Sequence, residues 1–493
     1  MAVLSLPYIS VQPSLPLVLA DIVKDGGAED CWVSCYSPPG TGEAGPDAQQ
    51  PPRNSVHGRF RVSEGDEAGT VEVDARANEV EVDMVSKSEF RVACPSLAVP
   101  PTTVLLPCPA LNTPQSSSSY STNSTTQEAP APSLLTFSAR GGIDTFALSG
   151  DGRRVVLGGR DGQAKVVEVV HYANGQGAAG KRLGKGKETA LRGHQGDLTA
   201  VEFFPSNEVV LTASSDMSLR LFSAADGSSP RHLTGHTKRV TGLSILRSPS
   251  PSGPHKGRLV LSSSLDGTVK LWEVSSASVQ RTWVLAQPVS AMSVFQDDDE
   301  DEQDVLKGKH ALAAHSDGSV SLVDLSSAES SAAVVLKTSS VTSLDTLSVL
   351  PLLDGRRAIT VGGRNGLVSL FLLPALPLPA ISSDLPLKPV AEWRRTEGGT
   401  QINSVVLSAR LATSSASSEA KDTFSVLVAP SDGLAYRATV TLQEGDEAPK
   451  VKVVEEFVGL DCEPATGVLE DEEGKVWISG GGGDGELRVY ERA

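Results

Sequence analysis

Sulfur-containing and aromatic residues are scarce in this sequence of 493 residues, which has five cysteines, four methionines and 4% aromatic residues. The cysteines are Cys31, Cys35, Cys94, Cys108 and Cys462. Their odd number and the lack of any CxxC pair argue against a disulfide framework and against a zinc site. We therefore expect no bound metal and a reducing location, the cytoplasm and the nucleus.

Long apolar runs are also missing. No stretch approaches the ~20 apolar residues that a membrane span requires. The apolar N-terminus has no basic segment, and Pro7, Pro13 and Pro16 interrupt it, so it is unlike a secretory signal. The sequence predicts no membrane partner.

Positive charge is in deficit, because 43 Lys and Arg residues face 60 Asp and Glu residues, for a net charge of -17. A protein that follows a phosphate backbone needs a concentrated basic face, so we expect no nucleic-acid partner. The acidic excess either serves solubility or steers a basic protein partner toward the chain. The sequence leaves both interpretations open.

Turn-forming residues are abundant, with 46 Gly and 31 Pro, and they separate short apolar runs as in all-β proteins. We predict an N-terminal β-rich domain over 1–108, a disordered linker over 109–132 and a β-propeller over 133–493. The strand-like pieces of the first segment are Asp30–Tyr36, Val56–Val62 and Thr70–Val82. The linker is too poor in apolar residues to offset the entropy of ordering.

One phrase recurs seven times after residue 133: an Asp or Asn, a small residue in most copies, and alternating apolar positions that end in a large one. The copies begin at Asp161, Asp216, Asp266, Asp317, Asn365, Asp432 and Asp484. They recur roughly every 50 residues, above the ~40–45 of a WD unit, and the excess lies in loop-like insertions. Asp-Gly between apolar runs predicts a hairpin. We therefore predict an all-β chain, a seven-bladed WD40 β-propeller preceded by a small N-terminal β domain.

The second unit illustrates one predicted blade. Leu198–Phe203, Glu208–Ser214 and Ser218–Phe222 would form its first three strands. The seventh unit ends at Tyr490, which leaves no room for a fourth strand. We expect the segment 133–138 to cross over and complete that blade, which would close the ring and remove an exposed edge. Its deletion should lower the melting temperature sharply.

Two units carry the Gly-His dipeptide that is typical of WD repeats. In the hydrogen-bond tetrad of such repeats, a His joins an Asp to a Ser hydroxyl and a Trp indole, so that buried polar groups are satisfied. The third unit offers all four residues: His236, Ser264, Asp266 and Trp272. The second unit offers three of them: His194, Ser214 and Asp216. There Phe222 replaces the Trp and cannot donate.

No catalytic motif is supported by its context. The same Ser, His and Asp residues could be taken for a catalytic triad, but their places at predicted blade turns favour a structural role. The segment 175–180 has GxGxxG spacing, yet it lacks the preceding strand and following helix of a dinucleotide site. We expect no catalytic residues, no cofactor and no enzyme activity.

Partner-binding residues are expected at blade turns and in one acidic run. The turns between second and third strands place five residues on one face: Arg160, Ser215, Leu265, Ser316 and Arg364. The acidic run begins with Asp297, Asp298, Asp299 and Glu300 and joins the first two strands of the fourth unit. Its adjacent carboxylates indicate a hydrated loop. Alternatively they attract a Lys/Arg-rich partner, and added salt would weaken such binding.

Several segments outside the repeated phrase support a narrower assignment. They are Cys31–Cys35 (CWVSC) with Ser37–Gly40 (SPPG), Phe203–Ser206 (FFPS), Phe222–Asp226 (FSAAD) and Asp461–Pro464 (DCEP). In order and spacing they resemble the proteasomal ATPase-associated factor family, WD-repeat chaperones for assembly of the base of the 19S regulatory particle. The linker 109–132 and the acidic insertion depart from that family.

This resemblance implies a non-enzymatic chain that binds the C-terminal region of a proteasomal ring ATPase transiently and leaves before the mature particle forms. We expect a monomer when the chain is alone. Two alternatives stay open from the sequence. One is a scaffold or substrate-receptor propeller in another complex, such as a ubiquitin ligase, and the other is an enzyme or small-molecule sensor that uses the central channel.

Overall fold

The structure is a computed structural model. It describes residues 3–38, 54–65, 71–74, 79–86, 88–107, 135–136, 142–160, 162–172, 182–246, 259–296, 306–327, 332–376, 386–395, 400–408, 422–443, 448–460, 463–482 and 485–492. The predicted linker over 109–132 and the acidic residues Asp297, Asp298, Asp299 and Glu300 lie outside these ranges.

The described part of the N-terminal region forms eight strands, one α-helix and one 3-10 helix. Their bounds are β1 Leu4–Ser5, β2 Tyr8–Val11, α1 Leu15–Asp25, β3 Ala28–Tyr36, β4 Ser55–Glu64, β5 Val71–Asp74, β6 Glu81–Ser86, β7 Glu89–Cys94, the 3-10 helix Pro95–Leu97 and β8 Val99–Leu105. The predicted strand Thr70–Val82 is wrong as a single strand, because β5 and β6 belong to different sheets.

Helix α1 is absent from the predicted elements. Its first turn contains Pro16, where the missing N–H leaves no hydrogen bond unmade. Its buried residues are Leu15, Val18, Leu19 and Ile22, whose spacing gives an apolar stripe on one helical face. The stripe packs on the inner face of the sheet formed by β2 to β5.

From residue 135 the described chain forms a series of antiparallel meanders, numbered here as sheets 1 to 7. Strand β9 is Leu135–Thr136. Sheet 1 contains β10 Ile143–Leu148, β11 Arg154–Gly159, β12 Ala164–Tyr172 and β13 Arg182–Leu191; sheet 2 contains β14 Leu198–Phe203, β15 Val209–Ser214, β16 Ser218–Ser223 and β17 Arg231–Thr234; sheet 3 contains β18 Val240–Ile245, β19 Leu259–Ser264, β20 Thr268–Glu273 and β21 Ser278–Val284.

The series continues without a change of pattern. Sheet 4 contains β22 Val289–Gln296, β23 Lys309–His315, β24 Ser319–Asp324 and β25 Ala332–Lys337; sheet 5 contains β26 Leu344–Pro351, β27 Arg357–Gly363, β28 Val368–Leu373 and β29 Ala391–Arg394; sheet 6 contains β30 Ile402–Ser408, β31 Thr423–Pro430, β32 Ala435–Thr441 and β33 Lys450–Phe457; sheet 7 contains β34 Ala465–Glu470, β35 Val476–Gly480 and β36 Glu486–Tyr490.

The sheets are arranged in a closed circuit. The first strand of each sheet contacts the first strand of the next, and β34 of sheet 7 contacts β10 of sheet 1. Apolar side chains fill the space between neighbouring sheets, as in the cluster that joins sheets 2 and 3 through Leu221 and Trp272. A single sheet cannot bury both of its faces, so stacking side by side supplies the core. This all-β architecture is that of a β-propeller.

Sheet 7 takes its outer strand from a distant part of the chain. Strand β9 pairs antiparallel with β36, with Leu135 opposite Leu487 and Thr136 opposite Glu486. These two residues lie inside the segment 133–138 that the sequence assigns to this position, and the other residues of that segment lie outside the described ranges. The outer edge of β36 is thereby paired.

The N-terminal region also extends two of the sheets. Strand β1 pairs in parallel with β29 of sheet 5, and β8 pairs in parallel with β33 of sheet 6. Strands β7 and β6 continue sheet 6 outward to seven strands. The region predicted as a preceding domain is therefore hydrogen-bonded into the ring, and it covers the outer edges of sheets 5 and 6.

Candidate functional site: the mouth of the central channel

A hydrogen-bond chain crosses sheet 3. Nδ1 of His236 lies 2.9 Å from a carboxylate oxygen of Asp266, and Nε2 of His236 lies 2.7 Å from Oγ of Ser262. The indole N–H of Trp272 donates to the same Oγ at 2.8 Å. Because the carboxylate only accepts, we assign the ring proton to Nδ1, so that Nε2 accepts from the Ser262 hydroxyl. All the polar groups of this chain are satisfied.

The prediction that Ser264 supplies the tetrad hydroxyl is wrong, because Ser262 supplies it. The Ser264 hydroxyl donates to the carbonyl of Lys238 at 3.0 Å and accepts the N–H of Asp266 at 3.1 Å, so it braces the turn. Trp272 is paired with Val260, and Ser262 is the next residue on that face of the strand because side chains alternate. Ser264 lies one further step away. Three consecutive serines concealed this register in the sequence.

Sheet 2 repeats the arrangement with one change. His194 contacts Asp216 at 2.9 Å through Nδ1 and Oγ1 of Thr212 at 2.8 Å through Nε2. The prediction that Ser214 contacts the histidine is also wrong, because its hydroxyl donates to the carbonyl of Gly196 at 2.8 Å. Phe222 takes the place of the Trp, with its ring centroid 6.4 Å from that of His194. It offers no donor to the threonine.

The charge states of these groups support a structural role. Burial lowers the pKa of His194 and of His236 from 6.5, against the opposing effect of the aspartates. Burial alone would raise the pKa of Asp216 and Asp266, but hydrogen bonds lower it to about 2. Both histidines are therefore neutral at pH 7. Ser262 is fully buried, so no substrate could reach its hydroxyl as a triad would require.

A bulge recurs in the first strand of every sheet from 1 to 7. In each of these strands the pairing register shifts at the second residue, and a bulge of this kind re-aims the side chain. The bulged residues line one cavity of about 510 Å³ at the axis, where the first strands begin. They are Asp144, Thr199, Thr241, Ser290, Asp345, Asn403 and Thr466. We call this cavity the channel mouth.

Four of the bulged side chains link neighbouring sheets. Each donates a hydrogen bond to a backbone carbonyl at the start of the next first strand. The pairs are Thr241 to Val289, Ser290 to Leu344, Asn403 to Ala465 and Thr466 to Ile143. The last pair joins sheet 7 to sheet 1 across 323 positions of sequence. These bonds hold the channel mouth in a fixed shape.

The two bulged aspartates cannot donate, and each holds an arginine of its own sheet. Asp144 lies 3.3 Å from Nε of Arg160, and Asp345 lies 2.7 Å from Nε of Arg364. Gln401 also donates to Asp345 at 2.9 Å. Burial raises the pKa of Asp144 despite the nearby Arg160. The channel mouth therefore combines both signs of charge in a partly enclosed setting.

Three of the five predicted turn residues reach the channel mouth: Arg160, Leu265 and Arg364 line it. Ser215 and Ser316 occupy the same turn position in sheets 2 and 4 without lining the cavity. The N–H of Ser215 donates to the carbonyl of Asp197 at 2.8 Å. The sequence analysis missed the bulged residues, although a polar residue at the second position of every first strand was a usable signal.

Uncommitted polar groups lie on the side formed by sheets 2 and 3. Asp197 and Arg239 line the channel mouth, and within the described part of the chain neither makes an ion pair. The hydroxyl of Thr199 is buried there and has no hydrogen-bond partner among the described residues. A buried polar group without a partner is uncommon in folded proteins, so this side is suited to a ligand that supplies one.

The WD domain, G-beta repeat model of the WD40 family matches residues 186–223 and 227–273. The chain therefore contains WD40 repeats, and the matched residues include the hydrogen-bond chains of sheets 2 and 3. The structure called "Structure of U3-55K" has a TM-score of 0.51 at 15% identity, covering 73% of this chain and 98% of that one. "Crystal structure of RRP9 WD40 repeats" gives the same score. This likeness concerns the fold alone.

Among curated relatives, 26S proteasome regulatory subunit RPN14 of Saccharomyces cerevisiae is 34% identical over 104 residues, 21% of this chain and 21% of that protein. SIR4-interacting protein SIF2 of the same yeast is 29% identical over 136 residues, 27% of this chain and 22% of that protein. Nuclear distribution protein PAC1-1 of Uncinocarpus reesii is 38% identical over 87 residues. The chain matches only about a fifth of the length of these relatives.

Among the described residues, no group of three or more His, Cys, Asp or Glu side chains is arranged to hold a metal ion. Within the same ranges, no helix has both the length and the apolar character needed to cross a membrane.

Proposed function

We propose that this chain is a seven-bladed WD40 propeller with an N-terminal β-rich region, and that it acts without catalysis as an assembly factor for the base of the proteasome regulatory particle. It would bind the C-terminal region of a ring ATPase, in the cytoplasm and the nucleus. The similarity to RPN14 over 104 residues carries the proposal, together with the resemblance of the N-terminal and second-blade segments to the chaperone family.

The channel mouth is the docking surface in this proposal. Hydrogen bonds between four pairs of neighbouring sheets brace its rim, so less conformational entropy is lost on binding. Asp197 and Arg239 are available to partner groups on one side of it, next to the buried hydroxyl of Thr199. Charges of both signs in a fixed pattern favour specificity and orientation over raw affinity, which suits a partner that must later be released.

A second candidate is a scaffold propeller in another complex. It is favoured by the matches to SIF2 and PAC1-1, which have a similar extent to the match with RPN14. Such a protein would use the same rims for a different partner.

Affinity purification of the tagged full-length chain from cells, with quantitative mass spectrometry, separates the two. We expect regulatory-particle ATPases without the 20S core. The double variant Asp197→Lys, Arg239→Glu reverses the charge pattern of the channel mouth at constant net charge and should reduce ATPase recovery at least tenfold.

The matched control is Glu208→Lys with Arg231→Glu, which makes the same charge changes at the opposite end of sheet 2 and should leave recovery unchanged. Recovery of ubiquitin-ligase or ribosome-assembly subunits in place of the ATPases would support the second candidate. Equal loss of ATPases in both double variants would exclude the channel mouth as the docking surface.

A further inference from the structure

The N-terminal sheet of β2 to β5 has one buried face and one outward face. Its inner face carries Ile9, Cys31, Val33, Phe60 and Val62, all buried in one apolar cluster with α1. Because side chains alternate along a strand, the residues between these point away from that core. Among the described residues of the N-terminal region, no apolar layer covers the outward face.

Aromatic and basic residues occupy the middle of that outward face. Trp32 is 40% exposed and lies directly opposite Arg59 on the neighbouring strand, while Tyr36 and His57 lie on the next rungs. Tyr8 completes the set opposite Tyr36. We call Tyr8, Trp32, Tyr36, His57 and Arg59 the platform.

The platform is fixed to the propeller through a continuous stack. The rings of Tyr8 and Tyr36 are parallel with centroids 4.5 Å apart, and the His57 ring meets Tyr36 edge-on at 5.8 Å. The guanidinium of Arg395 lies 5.3 Å from the Tyr8 ring and 4.4 Å from the buried ring of Tyr436 in sheet 6. This stack fixes the end of the platform formed by Tyr8, Tyr36 and His57 to the ring, and Trp32 and Arg59 are joined to it through the pairing of β3 with β4.

The outward face carries charges of both signs, since Arg61 lies opposite Asp30 and Asp74, and Arg59 is the cation directly opposite Trp32. Arg59 makes no ion pair with any described residue, whereas its neighbour Arg61 lies 3.9 Å from Asp30. Exposed Trp paired with an uncommitted Arg is typical of the residues that dominate protein interfaces. An arginine can accept a carboxylate through two parallel hydrogen bonds.

We propose that the platform binds an extended acidic peptide of a partner protein, with a carboxylate on Arg59 and an adjacent apolar side chain on Trp32. This surface is separate from the channel mouth and does not depend on the proposed ATPase partner. A single-stranded nucleic acid is disfavoured, because a polyanion needs a basic groove along its backbone and the platform offers one uncommitted arginine.

The test is selection of ten-residue peptides from a display library on the immobilised full-length chain. We expect enrichment of sequences with Asp or Glu beside Leu, Phe, Tyr or Pro. For a selected peptide, Arg59→Glu and Trp32→Ala should each weaken binding at least tenfold by fluorescence anisotropy. Changing the peptide carboxylate to Lys should restore binding to Arg59→Glu, which a general loss of structure would not allow.

The control variants Arg231→Glu and Leu353→Ala alter an exposed arginine and an exposed apolar residue elsewhere, and they should bind as the wild type does. The proposal is overturned if the library gives no enrichment, if basic peptides are enriched, or if the selected peptides bind Arg59→Glu and Trp32→Ala normally. Tighter binding of a labelled ten-nucleotide oligo-dT than of any selected peptide would equally overturn it.

Discussion

Sheets 2 and 3 differ from sheets 5 and 6 in how they satisfy buried polar groups. Sheets 2 and 3 use neutral histidine chains that join the turn to the strands. Sheets 5 and 6 use full charges: Arg395 pairs with Glu456, and Arg437 pairs with Glu455 and Glu470. Glu455 and Glu456 lie near the end of β33, and each is at most 1% exposed.

The outer edges of the sheets explain the difference. Among the described residues no strand pairs beyond β17 or β21, whereas β1 and β8 cover the edges of sheets 5 and 6. Covering an edge removes water, and a charge without water requires a counter-charge and hydrogen bonds. Glu456 obtains both, from Arg395 and from the N–H of Ile9 at 3.2 Å. The buried ionic cluster therefore lies where the N-terminal strands pair with sheets 5 and 6.

The largest expected effect is at this cluster. Arg395→Ala leaves Glu456 buried without its counter-charge, and breaking such a pair costs about 3–5 kcal/mol. Calorimetric melting should show the loss, and limited proteolysis should show release of the N-terminal strands. Arg395→Met with Glu456→Gln removes both charges and keeps an acceptor for Ile9, so it should regain much of the stability.

Arg356→Ala is the control for that comparison, because this arginine makes exposed ion pairs with Asp354 and Asp422. Such pairs contribute about 0–1 kcal/mol. If Arg395→Ala melts no lower than Arg356→Ala, the cluster does not hold the N-terminal region in place.

The next largest effect is expected from a comparison of the histidine hydrogen-bond chains of sheets 2 and 3. Ser262→Ala leaves two buried groups, Nε2 of His236 and the indole N–H of Trp272, without a hydrogen-bond partner. It should destabilise sheet 3 by about 1–3 kcal/mol. Thr212→Val removes the partner of Nε2 of His194 and a 3.2 Å contact with the carbonyl of Arg220, but no indole N–H loses its acceptor, so it should cost less. Chemical denaturation of both variants measures the difference, and a larger loss for Thr212→Val would contradict the assigned chains.

The smallest effect is a response to acid of opposite sign in the two regions. The pKa of His194, His236, Asp216 and Asp266 is lowered in the folded state, so their contribution is present above their unfolded pKa values and is lost as pH falls. Burial raises the pKa of Asp432, which occupies the same turn position in sheet 6. The folded state then binds this proton more readily, and stability from Asp432 rises as pH falls toward 3.8.

Hydrogen exchange at pH 5 and pH 7, corrected for intrinsic rates, tests this difference. Strands β15, β16, β19 and β20 should lose protection in acid relative to β31 and β32. A uniform change across all six strands would show that the buried histidines and Asp432 do not titrate as their surroundings indicate.

The sequence predicted those features of the fold that depend on local pattern. The bounds of β14 agree with Leu198–Phe203, and the turn after Asp266 forms because Gly267 adopts a φ of 80°. In sheet 2 Met217 adopts this conformation with a φ of 68°, which explains why that copy of the phrase looks irregular.

Features that depend on distant pairing were not predictable. Nothing in the sequence near Leu4 or Thr103 indicates a partner in β29 or β33, which lie more than 300 positions away. The prediction of the tetrad serine failed for a different reason. Ser262 and Ser264 point to the same side of the strand, and only the position of Trp272 distinguishes them. The channel mouth required all seven first strands to be placed together.

Hydrogen–deuterium exchange of the full-length chain, alone and with purified base ATPases, tests the proposed docking surface most directly. We expect new protection at the starts of the first strands and at the turns that contain Arg160 and Arg364. Protection confined to the outer strands of sheets 2 and 3, or no change on adding the ATPases, would contradict the account.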